Sequence, residues 1–321
     1  MVQLDKPAPD FVIVGGPKCG TTALFATLRQ HPQLALSKIK EPRFFASDYP
    51  GRREMESEAE YDALFANAGH GQLRGEASAI YLTSEVAIPA ILERRPDVKL
   101  IALVRNPIDM FVSWHNECLK SLDEDVKDPE RAWWLQEMRA AGNLPRLCWE
   151  PGYLQYRKVC SLGTQIERLF DLVPASQRLV IVWDDLQTSP AAVMKEVLDF
   201  LGIEDIGITE FARENVYASH KSRFVARMVR SFYAYPRLKI LRRRLKPALN
   251  ACGIFPLLWA VKLSLRTSVK PRVSEDFHRT LTEEFDAEVR LLERLLDRDL
   301  SSWRKGLMPA YQSRAASISN S

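Results

Sequence analysis

The segment Gly15-Gly16-Pro17-Lys18-Cys19-Gly20-Thr21-Thr22 combines glycines, a lysine and two hydroxyls at a spacing that prepares for anion chemistry. An apolar run, residues 10–14 (DFVIV), precedes it and ALFATLRQH follows. Strand, glycine loop, helix is the order that aims backbone N–H groups and a helix N-terminus at an anion. Gly15-x4-Gly20 matches the first half of the GxxxxGK[ST] loop of nucleotide triphosphatases, but Thr21 stands at the lysine position and Lys18 lies inside the loop. A lysine there can reach the oxygen that bridges a leaving phosphate and a transferred group. No later apolar strand ends in a convincing metal-binding aspartate; Asp184-Asp185 after Arg178–Trp183 comes nearest. The loop is therefore expected to take a phosphosulfate rather than a Mg-triphosphate, with no metal required. The plain alternative is a tight structural turn carrying a solvated lysine.

Other residues invite the same question. Glu41 sits in Lys40-Glu41-Pro42-Arg43-Phe44-Phe45, where neighbouring aromatics can raise a carboxylate's pKa towards general-base range. Arg105-Asn106-Pro107 ends a likewise apolar run, Val98–Val104, and a guanidinium at a strand end can fork onto two phosphate oxygens. Ser113 lies eight residues after Arg105, two turns along the following helix, and His115 two residues further.

With these residues in view, the chain resembles the sulfotransferases that use 3′-phosphoadenosine 5′-phosphosulfate (PAPS). VGGPKCGTTAL resembles their 5′-phosphosulfate loop. Lys40–Phe45 resembles the KExxFF segment of the heparan sulfate N- and 3-O-sulfotransferases and their bacterial relatives. Gly75-Glu76-Ala77-Ser78-Ala79-Ile80-Tyr81-Leu82 resembles their GExSPxYL segment. Arg105-Asn106-Pro107 with Ser113 resembles the 3′-phosphate motif, and Asp299–Trp303 (DLSSW) the usual ending. The resemblance implies that Gly16, Lys18, Gly20, Thr21 and Thr22 bind the 5′ end of PAPS, and that Arg105 and Ser113 bind its 3′-phosphate. It further implies Lys18 at the leaving oxygen and Glu41 as general base with His115 as rival, while Glu76 and Tyr81 either line the acceptor cleft or simply anchor their segment. Asn215–Arg223 resembles a late PAPS-contacting segment, which makes Lys221 and Arg223 candidates for the 3′-phosphate. The glycosaminoglycan enzymes commonly carry lysine where this chain has Ala77, a departure that puts a polyanionic acceptor in question.

The implied reaction is transfer of a sulfuryl group to a hydroxyl, or less favoured an amine, of a carbohydrate or other small-molecule acceptor, leaving adenosine 3′,5′-bisphosphate. The rivals are a P-loop kinase or NTPase, and a non-enzymatic nucleotide- or membrane-binding protein on the same fold.

These residues need elements to hold them. Buried strands at 10–14, Val98–Val104 and Arg178–Trp183, with a short one at Leu34–Leu36, alternate with helices after Gly20, after Pro107 to about Glu117, and from Pro190 to about Leu201. That alternation predicts an α/β, P-loop-like three-layer fold: a central parallel sheet flanked by helices, with a helical C-terminal portion. Ser274–Leu296 has the 3.6-residue periodicity of a closing amphipathic helix. Asp123–Pro151, holding Trp133, Trp134 and Trp149, reads as an irregular insertion, and with Phe45–Gly75 as a source of cleft loops. The domain is expected over 8–304, with a disordered tail at 305–321.

The chain has 321 residues and a net charge of +4 that hides an asymmetry. His220–Arg272 carries 14 Lys/Arg and no Asp or Glu, against 31 basic and 41 acidic residues elsewhere. Such a block implies an anionic partner. Residues 237–265 suit an interfacial membrane contact, an acidic acceptor or a cover over the cofactor, besides an ordinary basic surface. Nucleic acid is not expected, since no binding signature accompanies the charge. Five scattered cysteines, no signal peptide and no apolar run of 18 residues point to a reducing, cytoplasmic setting with at most peripheral membrane contact. The oligomeric state is left open.

Overall fold

The computed structural model describes residues 8–55, 57–207, 210–211, 218–220, 265–267 and 273–304. Lys221, Arg223, the segment 237–265 apart from Leu265, and the expected tail at 305–321 lie outside the described residues.

Five parallel strands form the central sheet in the order β2-β3-β1-β4-β5: β1 Phe11–Gly15, β2 Leu34–Leu36, β3 Leu73–Ala77, β4 Lys99–Val104 and β5 Arg178–Val182. The all-parallel sheet is the predicted one. The central strand β1 is buried along its whole length, and β4 at all but its first residue. Burial on both faces is why they read as unbroken apolar runs rather than alternating ones. Strand β3 is absent from the sequence reading, because Gly75-Glu76 break the apolar pattern. Gly75 is required there: a Cβ would drive into the Phe11 ring of the neighbouring strand.

Around the sheet lie α1 Thr21–Leu28, α2 Ala87–Arg94, α3 Pro107–Lys120, α4 Leu162–Leu172, α5 Pro190–Leu201 and α6 Glu275–Leu296. Pro107 opens α3 as its first residue, and Asn106 Oδ1 caps it by accepting from the amides of Ile108 (2.9 Å) and Asp109 (3.4 Å). Gly202 ends α5 in the left-handed conformation, at φ 77°. Helix α6 starts at its cap, Ser274, and buries Phe277, Leu281, Phe285, Val289 and Leu292. These side chains pack towards α3 and α4, with Phe111 and Trp133 joined edge-on to Phe277. Each such side chain contributes about 1.5–3 kcal/mol of transfer free energy.

The Asp123–Pro151 segment corrects the expectation of an irregular insertion. It contains two short helices, Pro129–Trp134 and Gln136–Ala140, the first capped by Asp128 with Pro129 at its first position. Trp133 is core, whereas Trp134 is 59% exposed. Among the described residues no helix is long and apolar enough to cross a membrane. Ala218–His220 pairs antiparallel with Leu265–Thr267, which brings the two ends of the basic block together.

Candidate active site

Chain order fixes where a site can form. After β1 the chain runs to β2 and β3 on one side, then crosses to β4 on the other. The reversal opens a crevice at the carboxyl end of β1, the usual ligand position in such sheets. The glycine loop occupies it. The Gly16 amide donates to Leu103 O of β4 at 2.6 Å, while Leu82 N donates to Val14 O at 2.7 Å from the segment after β3. Gly20 stands before α1 at φ 100°, and a Cβ there would lie 2.5 Å from the Trp183 ring. Only glycine suits both that conformation and that contact.

A cavity of about 240 Å³ opens over the loop. Lys18, Gly20, Thr21 and Thr22 line one side; Glu41, Arg43, Arg52, Trp114, Glu117 and Tyr153 are among the residues that complete it. The structure thus brings the loop and Glu41 into one space. Residues 37–43 reach it by running along the end of β3, with Ser37 N donating to Gly75 O (2.8 Å) and Glu41 N to Ala77 O (2.9 Å). Lys18, Glu41 and Arg43 all hold positive φ, at 63°, 66° and 53°. Three non-glycine residues in that region around one cavity mark backbone strain of the kind that gathers at functional sites.

Glu41 is held between two cations. Its Oε1 accepts from Lys40 Nζ at 3.2 Å, and its Oε2 from Arg43 Nη2 at 2.8 Å and Nε at 3.1 Å. Burial pushes its pKa up, but the charges and hydrogen bonds of Lys40 and Arg43 outweigh that and bring it to about 2. Lys40 Nζ also reaches Thr21 Oγ1 at 3.5 Å, tying the carboxylate to the loop. Lys18 Nζ donates to Glu117 Oε2 at 3.0 Å. Across the cavity Arg52 pairs with buried Asp123, and its guanidinium lies 5.4 Å from the Trp149 ring centre. Gly51 N donates to Glu150 Oε2 at 2.9 Å, so the two expected cleft loops form one wall.

Arg105 stands behind the loop. Its Nη1 donates to Lys18 O at 3.3 Å, its guanidinium stacks 5.1 Å from the Trp183 ring centre, and its buried Nε has no partner among the described residues. A guanidinium with an unused buried donor beside an anion loop fits a phosphate. Ser113 lies partly buried on α3 and outside the cavity lining.

Three further candidates lie beneath the cavity or away from it. Glu76 is fully buried, accepting from Tyr61 Oη at 2.8 Å and Ser78 Oγ at 3.2 Å. Burial raises its pKa to about 7 against the hydrogen bonds of Tyr61, Tyr81 and Ser78. Tyr81 is buried too, its hydroxyl accepting from Phe45 N at 3.4 Å. Both support the Glu41 segment from below: Arg43 N donates to the Ser78 Oγ that itself donates to Glu76. His115 is not brought to the site. It is fully buried and outside the cavity lining, with Nε2 2.9 Å from Val126 O and its ring beside Phe111 and Tyr156.

Asp184 and Asp185 face the C-terminal segment. Asp184 accepts from the Trp303 indole at 2.8 Å, Asp185 pairs with Arg298, and Asn106 Nδ2 donates to Trp303 O at 3.2 Å. The DLSSW ending thus fastens the Arg105 corner. Sequence reasoning missed Arg43, Arg52 and Glu117 as cavity residues, and Lys40 as the second cation on Glu41. For Glu117 a signal existed, since it follows Ser113 by one helical turn.

Sheet order and glycine loop define a P-loop-like α/β protein with a lysine–carboxylate cavity at its switch point. Residues 8–231 match the family profile described as "Sulfotransferase domain", and the chain belongs to that family. It is similar to the human bifunctional heparan sulfate N-deacetylase/N-sulfotransferase 2, at 29% identity over 61% of this chain and 22% of that protein. The human enzyme 3 of the same description is 31% identical over the same shares. The matched part is about a fifth of the length of these relatives. A solved sulfotransferase from Alicyclobacillus acidocaldarius superimposes with a TM-score of 0.66 at 25% identity, covering 92% of this chain and 99% of that one.

Proposed function

We propose that the chain is a PAPS-dependent sulfotransferase acting on a hydroxyl, or as second reading an amine, of a carbohydrate or other small acceptor. The observation that carries this is the meeting of Lys18 and Glu41 in one cavity over a glycine loop that lacks the triphosphatase lysine. The amine reading rests on relatives whose names include N-sulfotransferase.

When bound, PAPS supplies the activated sulfuryl group. The loop amides of Gly16 to Thr22 and the α1 terminus would hold its 5′-phosphate; Arg105, with Ser113, would hold the 3′-phosphate. Lys18 neutralises the charge that develops on the leaving oxygen, the term that dominates barriers of this kind. Glu41 accepts the acceptor's proton. With a pKa near 2 it is a weak base while Lys40 and Arg43 both grip it, so the acceptor or donor must draw at least one of these cations away. Lys221 and Arg223 remain candidates for the 3′-phosphate. The cytoplasmic setting is part of this reading, supported by the absence of disulfides among the described residues.

Calorimetric titration of adenosine 3′,5′-bisphosphate into metal-free protein, with ATP·Mg as comparison, tests the proposal. Tight binding of the bisphosphate and weak binding of ATP is the expected outcome; the reverse would make the chain a triphosphate enzyme.

A further inference from the structure

Glu117 lines the cavity, and one of its oxygens serves two lysines. Oε2 accepts from Lys18 Nζ at 3.0 Å and from Lys120 Nζ at 2.7 Å. The two lysines are largely buried, at 15% and 20% exposed, and the Glu117 side chain between them is 36% exposed. A salt bridge in such a place resists losing one partner, because the other charge is then left poorly solvated and unpaired. The second lysine removes that obstacle: when Lys18 leaves, Glu117 stays neutralised by Lys120. Lys120 sits on the same face of α3, one turn after Glu117, so its grip does not depend on the loop. Lys18 projects from the loop residue at φ 63°, between this clamp and the space over Gly20, Thr21 and Thr22.

We propose that Glu117 is a positioning residue that stores Lys18 at the cavity wall and releases it to the donor, with Lys120 as the relief partner that makes release inexpensive. The proposal rests on the sulfotransferase reading, since the ligand that claims Lys18 is the donor's 5′-phosphate end. In the ligand-free protein, Glu117 competes with that phosphate for Lys18. Removing the carboxylate charge therefore strengthens donor-site binding, whereas removing Lys120 weakens it, because Lys18 would then leave a bare carboxylate behind.

The test is a double-mutant cycle read by calorimetric titration of adenosine 3′,5′-bisphosphate into the full chain. Glu117→Gln is expected to tighten binding about three- to tenfold, the scale of a partly exposed ion pair or somewhat more. Lys120→Met is expected to weaken binding by a similar factor, and Glu117→Gln/Lys120→Met to bind like Glu117→Gln alone. With PAPS as the varied substrate, Glu117→Gln should lower KM. A merely structural glutamate would loosen the site on substitution and could not tighten it. Unchanged or weaker binding by Glu117→Gln, or a Lys120→Met effect that persists in the double variant, overturns the proposal. Wild-type protein that binds no bisphosphate overturns the donor reading itself and the proposal with it. Lys18→Met separates the two further, because in that background Glu117→Gln should change nothing.

Discussion

Two glutamates on adjoining segments, linked where Glu41 N donates to Ala77 O, show how strongly position governs acid–base character. Glu41 meets Lys40 and Arg43 and is held near pKa 2, whereas Glu76, fully buried among hydroxyls, rises to about 7. Their effects on stability therefore run in opposite directions and in separate pH windows. Glu41 is depressed, so its contribution is present above pH 4.5 and is lost as pH falls from there towards 2. Glu76 is raised, so the folded protein binds its proton more tightly than the unfolded chain does. That advantage is complete below pH 4.5, declines as pH rises through the interval to about 7, and is gone above it. The whole effect is about 3 kcal/mol if the unfolded value is the ordinary one. Glu76→Gln cannot ionise. Measured by urea unfolding between pH 5 and 8, the wild type should lose stability relative to this variant as pH rises, by about 1–3 kcal/mol. Parallel curves would show that Glu76 stays ionised in the folded protein.

Among the elements, α4 and α6 make a close backbone approach that a single missing atom permits. Gly163 lies in the first turn of α4 against the main chain of Glu288, and a Cβ there would stand far inside contact distance of the Glu288 carbonyl oxygen. The Glu288 carboxylate closes the same corner, accepting from Thr164 N at 2.8 Å and from Thr164 Oγ1 at 2.7 Å. Gly→Ala inside a helix ordinarily stabilises by about 0.5–1 kcal/mol. Here the added methyl must push two backbones apart, and overpacking of that kind costs about 1–3 kcal/mol. Gly163→Ala should therefore destabilise by about 1–2 kcal/mol in urea unfolding, reversing the sign expected from helix propensity. Stabilisation would mean that the helices separate without penalty. A contact of this kind joins residues 125 apart and leaves no local mark in the sequence. Periodicity drew α6 and its cap closely, because its apolar residues repeat every three or four positions. It missed β3, because a glycine and a buried glutamate interrupt the run that a strand would show.

At the scale of the whole molecule, the sheet order gathers segments that the chain keeps far apart. The loop follows β1, Glu41 comes from the stretch beside β3, Arg105 ends β4, and Trp303 fastens Asn106 and Asp184 from the far terminus. Four of the five strands and the loop were legible because burial and glycine geometry impose local patterns. The pairing of Glu117 with Lys18 was not, since it depends on where α3 crosses the loop. A ligand held by this gathering should stabilise the molecule as a whole. At about one hundred times Kd, adenosine 3′,5′-bisphosphate adds about 2.7 kcal/mol to unfolding. For a domain of this size that corresponds to a rise in Tm of about 4 °C. Among the described residues Arg105 leaves its buried Nε without a partner and holds only a long hydrogen bond to Lys18 O, the Trp183 ring and a 3.7 Å approach to Asp109, so its removal costs the ligand-free protein little. Arg105→Ala should consequently leave the ligand-free Tm within a few degrees of wild type while abolishing most of the ligand-induced rise at the same bisphosphate concentration. A variant that keeps the full rise would place the 3′-phosphate elsewhere, with Lys221 and Arg223 the next residues to test. A variant that unfolds without ligand would instead make Arg105 a brace between the loop and Trp183.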